Sequence, residues 1–185
     1  MNPIMNINVA LSLSFSLCLS FFPSLNATPD ISETCGNVRH KDLCISSFES
    51  SNIARFLPSN AKPKVIASII IKITVSNASD VSRNLKSAVL EGSGSLKPEV
   101  REKYGICDRE VVSAMKELDK VRTTMAISSR KSEDLDMKAA IAKTEKCEEE
   151  LKQVEAELTD KKQLEEVVVL KQLLENIDDI IKAMD

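Results

Sequence analysis

Apolar residues recur at steps of three and four along most of the chain, the spacing that places side chains on one face of an α-helix. Four such stripes follow one another: Ile66 to Ala88, Val100 to Met125, Ala140 to Leu158 and Val167 to Met184. The alternating pattern of a β-strand is almost absent. The pattern therefore predicts four long amphipathic helices.

Helix-breaking residues separate the stripes. Pro63 and Pro98 are expected to open the first two helices, because proline is tolerated in the first helical turn. The first helix is expected to end at Gly92-Ser93-Gly94 and the second at 128–132, with Ser132 capping the third. Four amphipathic helices with short connections predict an antiparallel bundle over residues 61–185.

A shorter helical segment precedes the bundle. Residues 30–57 are predicted to form a helical hairpin, with helices over 30–35 and 42–56 and a break at Gly36-Asn37. His40, the single histidine, is expected to be exposed in the turn. The predicted fold is all-α, an antiparallel four-helix bundle preceded by a disulfide-stapled N-terminal helical hairpin, in one domain over 28–185.

The N-terminal residues have the character of a targeting segment. The stretch from Val9 to Leu25 is apolar and uncharged, but it is too short and too rich in serine for a comfortable membrane span. It predicts a secretory signal peptide over residues 1–27, cleaved after Ala27. An uncleaved anchor is the alternative. After cleavage we expect no association with a membrane.

Cysteine usage supports a secreted protein. Of five cysteines, Cys18 lies in the signal peptide, and the other four can form two disulfides in three pairings. Cys35 and Cys44 flank the break in the hairpin. Cys107 and Cys147 lie at similar heights on the inward faces of the second and third bundle helices. The predicted bonds are therefore Cys35–Cys44 and Cys107–Cys147; a zinc site is the alternative, although zinc cysteines are usually more closely paired.

Charge and composition argue against catalysis and nucleic-acid binding. The net charge is −3, with 29% charged residues of both signs, which does not suit a phosphate backbone. Runs such as Glu148-Glu149-Glu150 are typical of a solvated helix face, and His40 has no obvious partner in the sequence. We expect no enzyme activity, no metal and no cofactor.

One motif for covalent modification lies within the predicted mature protein. Asn77-Ala78-Ser79 is an N-glycosylation sequon. Asn77 occupies a stripe position in the first bundle helix. It is a candidate glycosylation site.

Several short segments together resemble a known family. They are Ile31-Ser32-Glu33-Thr34-Cys35, Asp42-Leu43-Cys44, Tyr104-Gly105-Ile106-Cys107-Asp108, Ala139-Ala140, Thr144 and Cys147-Glu148-Glu149. With four cysteines in order behind a signal peptide, residues 31–184 resemble the plant invertase and pectin methylesterase inhibitor family. The resemblance implies the same bundle and disulfides. It also implies a secreted protein of the cell wall, or of the vacuole, that inhibits by stoichiometric complex formation.

The resemblance also suggests a target and a contact surface. Invertase inhibitors of this family often carry Pro-Lys-Phe between the second and third bundle helices, where this chain has Arg130-Lys131-Ser132. This difference favours pectin methylesterase as the partner. Invertase is the alternative target, and a non-inhibitory secreted interaction protein of the same fold is a further alternative. The candidate contacts are outward cations of those two helices: Arg109, Lys116, Lys120, Lys138 and Lys143.

Overall fold

The structure is a computed structural model that describes residues 31–51, 57, 61–92, 96–127, 130–158 and 161–184. The helices are α1 (Ile31–Gly36), α2 (Lys41–Ser50), α3 (Pro63–Glu91), α4 (Pro98–Ile127), α5 (Arg130–Gln153) and α6 (Lys162–Ala183). A short 3-10 turn, Glu155–Glu157, follows α5. These ranges contain no strand, and the predicted all-α fold is confirmed. The predicted signal peptide, 1–27, lies outside the described residues.

Helices α3 to α6 form the bundle. Their main contacts form a cycle, in which α3 packs on α4, α4 on α5, α5 on α6, and α6 on α3. Polar pairs show that α4 and α5 are antiparallel, since Lys103 meets Glu150 and Glu110 meets Lys146. Because the four helices contact one another in a cycle, the seam between α4 and α5 lies on the opposite side of the bundle from the seam between α3 and α6.

The inward face of α4 follows its predicted stripe. All eight stripe residues are buried: Val100, Tyr104, Cys107, Val111, Ala114, Leu118, Val121 and Met125. Burying large apolar side chains contributes about 1.5–3 kcal/mol each relative to leaving them in water. This face therefore contributes a continuous apolar surface to the core of the bundle.

The inward face of α3 differs from the predicted stripe at its centre. Thr74 and Ala78 are buried there, whereas Ile73 and Asn77 are only half-buried. Steps of three and four from Ile70 reach both Ile73 and Thr74, and the sequence pattern favoured the apolar residue. Because α3 packs between α4 and α6, its core face runs through Thr74 and Ala78 instead. Asn77 therefore lies at the edge of α3 and not in its core face.

Two helix ends also differ from the sequence-based expectation. α2 ends at Ser50 and not at residue 56, because Ser51 turns to an extended conformation and its N–H donates to the Phe48 carbonyl at 3.1 Å. α5 begins at Arg130, so Ser132 lies within the helix instead of capping it. Arg130 and Lys131 are good helix formers, which favours the earlier start.

Two disulfides join neighbouring helices. Cys35 of α1 is bonded to Cys44 of α2, with a Cα–Cα distance of 5.6 Å. Cys107 of α4 is bonded to Cys147 of α5, with a Cα–Cα distance of 4.3 Å. The second bond links positions separated by 40 residues. A bond that closes such a loop typically stabilises a protein by about 2–4 kcal/mol.

The length and composition of α3 alone would allow it to cross a bilayer. Packing accounts for this apolar character, because α3 contributes a series of buried residues to the core between α4 and α6. Ile66, Ile70, Ile71 and Leu85 are all almost completely buried.

The turn of the hairpin docks on the last helix through a buried amide. Asn176 of α6 is fully buried. Its Oδ1 accepts a hydrogen bond from the His40 backbone N–H at 2.9 Å, and its Nδ2 donates to the His40 carbonyl at 3.0 Å. One side chain therefore satisfies both backbone groups of a turn residue.

Charged groups surround this contact. The Arg39 guanidinium donates to both carboxylate oxygens of Asp179, at 3.0–3.2 Å. His40 Nε2 lies 2.7 Å from Glu175 Oε2. Burial acts to raise the pKa of Asp179, but hydrogen bonds from the Arg39 side chain and backbone, together with its charge, lower that pKa overall. The hairpin thus depends on polar contacts with α6 as well as on apolar packing.

We predict that Asn176→Ala lowers the free energy of unfolding by about 1–3 kcal/mol, because it leaves the His40 N–H without its partner, while the His40 carbonyl keeps only the hydrogen bond from the Cys44 N–H. Chemical denaturation followed by circular dichroism measures the change. Asn37→Ala, which alters an exposed asparagine in the same turn, is the control. An Asn176→Ala protein as stable as the wild type would show that the amide does not hold the hairpin.

A second buried polar group lies in the core of α3. The Thr74 hydroxyl is fully buried, and it forms no hydrogen bond with the described residues. Thr144 of α5 is equally buried, but its hydroxyl donates to the Ala140 carbonyl at 3.1 Å. The two threonines form a matched pair that differs in hydrogen bonding.

We predict that Thr74→Val raises the free energy of unfolding by about 1 kcal/mol, since a buried hydroxyl without a partner is costly and valine has a similar shape. Thr144→Val should leave stability unchanged or slightly lower it. Thermal unfolding of both variants provides the comparison. A Thr74→Val protein less stable than the wild type would contradict the prediction.

Candidate functional site

The outward face of α4 carries three of the predicted contact residues. Arg109, Lys116 and Lys120 are exposed. The helical repeat of 3.6 residues places them within about 40° of one another, along about 16 Å of helix. We call these three residues the cationic line. It faces away from the buried stripe of the same helix.

Ion pairs connect α4 to α5 beside this line. At one end, Lys103 Nζ lies 2.5 Å from Glu150 Oε2 and donates to Gln153 Oε1 at 2.7 Å. Further along, Glu110 meets Lys146 at 2.6 Å and Lys143 at 3.5 Å. These pairs form a ladder along the α4–α5 seam that fixes one helix against the other.

The charges of this ladder reinforce one another. The hydrogen bond from Lys146 lowers the pKa of Glu110, against the effect of burial, and the Lys143 charge adds to this lowering. The same contact raises the pKa of Lys146. Glu117, which accepts a hydrogen bond from Lys120 at 2.6 Å, raises the pKa of Lys120. Lys120, Lys146 and Glu110 are therefore held in their charged forms.

The five predicted contact residues do not form one patch. Lys143 belongs to the ladder, where it shares Glu110 with Lys146. Lys138 is exposed, pairs with Asp134 at 2.6 Å, and is close enough to Asp178 of α6 for their charges to interact. Lys138 is therefore turned toward α6, while the cationic line and Lys143 lie on the α4 side.

The sequence-based predictions did not include some polar residues that hold the fold and the α4–α5 seam together. Lys146 and Lys103 contribute to the ladder, and only Lys146 has a sequence signal, since it follows Lys143 by one helical turn. His40 was expected to be an exposed loop histidine, but it is half-buried against Glu175. Its partner lies 135 residues away, so no local pattern could indicate it.

The outward face of α4 and α5 is cross-linked from beneath. Cys107 and Cys147 lie directly beneath it and are fully buried. Within the described ranges no group of three or more His, Cys, Asp or Glu residues could hold a metal ion. The disulfide and the ion pairs therefore hold the two helices in a fixed arrangement before any partner binds.

Asn77, the candidate glycosylation site, lies elsewhere on the molecule. It is half-buried at a groove between α3 and α6, and its Nδ2 donates to the Ile73 carbonyl at 3.2 Å. It therefore lies on the side of the bundle opposite the cationic line.

Comparisons with solved structures find the same fold. A mutant form of a pectin methylesterase inhibitor from Arabidopsis superposes with a TM-score of 0.67 at 18% identity, covering 83% of this chain and 96% of that one. A pectin methylesterase inhibitor from Arabidopsis thaliana gives a TM-score of 0.61 at 16% identity, covering 84% of this chain and 96% of that one. A search of curated protein sequences gave no match.

The family comparison covers most of the chain. The model for plant invertase/pectin methylesterase inhibitors matches residues 29–180, which include all four cysteines of the two disulfides and helices α1 to α5 in full. The match extends into the last turn of α6. The chain therefore belongs to the plant invertase/pectin methylesterase inhibitor family.

Proposed function

We propose that this protein is a secreted inhibitor of pectin methylesterase that acts by forming a stoichiometric complex in the cell wall. The observation that carries the proposal is the outward face of α4 and α5, a disulfide-linked surface with a line of exposed cations. Family membership supports an inhibitory role. The signal peptide expected at 1–27 supports secretion.

Two features support pectin methylesterase over invertase as the target. Both Arabidopsis proteins of similar fold are pectin methylesterase inhibitors. The residues Arg130, Lys131 and Ser132 replace the Pro-Lys-Phe sequence expected of an invertase inhibitor, and they form the first turn of α5. A helical turn at this position presents a different surface from a proline-containing loop.

Inhibition by this face would be steric and electrostatic. The bundle would cover the substrate cleft of the enzyme, with the cationic line directed at carboxylates on the enzyme surface. Complementary charges at the edge of an interface mainly speed association and set specificity, while central desolvated contacts supply most of the affinity. Because α4 and α5 are already fixed to each other, little binding energy is spent on ordering them.

We predict that the purified protein inhibits a plant pectin methylesterase at mildly acidic pH, with inhibition complete at one equivalent. Lys116→Glu should weaken binding about tenfold, which corresponds to about 1.4 kcal/mol, because it reverses the central charge of the cationic line. Enzyme titration and calorimetry measure inhibition and affinity.

A matched control uses the opposite side of the bundle. Lys162→Glu makes the same charge change at an exposed lysine of α6, and it should bind like the wild type. Equal weakening by both variants would assign the effect to net charge and not to the face. Inhibition of an invertase without inhibition of pectin methylesterases would contradict the assignment of pectin methylesterase as the target. No inhibition of several enzymes of either class would favour a non-inhibitory binding protein.

An inhibitor that acts in the mildly acidic cell wall has to remain folded at low pH. Three carboxylates make the stability of this fold depend on pH. The pKa of Glu110 is lowered mainly by Lys146. Burial acts to raise the pKa of Glu148, but hydrogen bonds from Lys152 and Lys171 lower it overall, and Asp179 behaves similarly beside Arg39. A lowered pKa in the folded state stabilises the fold above the unfolded pKa of about 4, and this stabilisation is lost as the pH falls through the folded value.

We therefore predict that the free energy of unfolding falls as the pH drops from about 5 to about 2, because these carboxylates must be protonated in the folded state. Asp179→Asn should be less stable at neutral pH and show a shallower decline. Urea unfolding at a series of pH values tests both statements. Asp42→Asn, which removes an exposed carboxylate of α2, controls for net charge. A decline as steep in Asp179→Asn as in the wild type would contradict the role given to Asp179.

A further inference from the structure

The groove between α3 and α6 lies beside the sequon Asn77-Ala78-Ser79. We propose that Asn77 carries an N-linked glycan whose first sugars lie in this groove. The proposal rests on the secretion proposed above, because the oligosaccharide is added in the secretory pathway. It does not depend on which enzyme is inhibited.

The chemistry requires only an amide nitrogen and a sugar donor. Asn77 Nδ2 forms a bond to C1 of the first sugar, while the bond from C1 to the diphosphate of a lipid-linked oligosaccharide breaks. The lipid diphosphate leaves, and Nδ2 loses one proton. The second N–H remains and can keep the hydrogen bond to the Ile73 carbonyl, now 3.2 Å long. The modified side chain is therefore compatible with the helix.

Transfer has to precede folding of α3. In the folded protein Ala78 is buried, and the Ser79 hydroxyl donates to the Val75 carbonyl at 2.9 Å. A transferase cannot engage the three sequon residues while they are held in this way. The modification is therefore added to the extended chain, and α3 then forms with the sugar already attached.

The groove provides space and suitable groups for the sugars. It encloses about 540 Å³ and is lined by residues of both helices. Val81 and Leu170 are buried within it, and Asn84 Nδ2 donates across it to both Glu166 oxygens at 2.9 Å. Val169, also among its lining residues, is 39% exposed. Polar groups beside an exposed apolar side chain suit a sugar, which has hydroxyl groups on its edges and C–H groups on its faces.

The position of the glycan has a consequence for the complex. The α3–α6 groove lies across the bundle from the α4–α5 seam, because the four helices contact one another in a cycle. A glycan on Asn77 would cover the side that carries Val169 and Lys162. It would leave the cationic line accessible to an enzyme.

The test uses the full chain expressed in plant cells. Glycan-releasing amidase in heavy-oxygen water converts a glycosylated asparagine to labelled aspartate, and peptide mass spectrometry locates the label. We expect label at residue 77 in the wild type, and its loss in Asn77→Gln and Ser79→Ala. Asn84→Gln, in the same groove but outside the sequon, should remain labelled at residue 77.

A second measurement tests where the sugars lie. We expect amine-reactive labelling of Lys162 to be about threefold slower before release of the glycan than after it, with Lys116 unchanged. Equal rates at Lys162 would overturn the groove placement. A secreted protein without modification of Asn77 would overturn the glycan alone. An unmodified protein retained in the cytosol would overturn both the glycan and secretion. Inhibition of pectin methylesterase is measured separately, with refolded bacterial protein that carries no glycan, so failure of the glycan proposal can be told apart from failure of the proposed function.

Discussion

Pairing between α4 and α5 is the contact on which the rest of the molecule depends. The buried stripe of α4 supplies a continuous apolar surface from Val100 to Met125, and the Cys107–Cys147 bond fixes its height against α5. On the outer side, the Glu110 and Lys103 ion pairs hold the same two helices together. The face proposed to bind an enzyme is the solvent side of this pair, so its shape follows from the core beneath it.

The periodicity of apolar residues was sufficient to predict the bundle. Each predicted stripe falls on a helix for most of its length, and the stripe of α4 is buried at every position. The third stripe was expected to run to Leu158, but α5 ends at Gln153 and a 3-10 turn follows. The stripe of α3 was less accurate because Ile73 and Thr74 both fit the helical spacing, and only the positions of α4 and α6 decide between them. Helix ends depend on local backbone geometry, as at Ser51, which composition does not reveal.

Polar contacts between distant residues were not readable from the sequence, in contrast to the Cys107–Cys147 bond. Asn176 looks like an ordinary polar residue within α6, yet it is fully buried and satisfies the backbone of His40. The candidate contact residues were chosen as outward cations of two helices, and the stripes predicted the exposure of four of them, but Lys143 is half-buried. Their grouping was not, since Lys138 turns toward α6 while Lys143 joins the ladder on the α4 side.

The docking of the hairpin also constrains when the protein can reach its final form. His40 and Arg39 emerge early during synthesis, but their partners on α6 follow about 136 residues later. The Cys35–Cys44 bond can close locally as soon as the hairpin is made, whereas the hairpin lacks the α6 part of its docking surface until the last helix is complete. A chain that stops before α6 would therefore carry a closed hairpin attached only through α3, which leaves Phe48 and its apolar neighbours more exposed to the folding machinery of the cell. Completion of α6 is thus coupled to full docking of the hairpin.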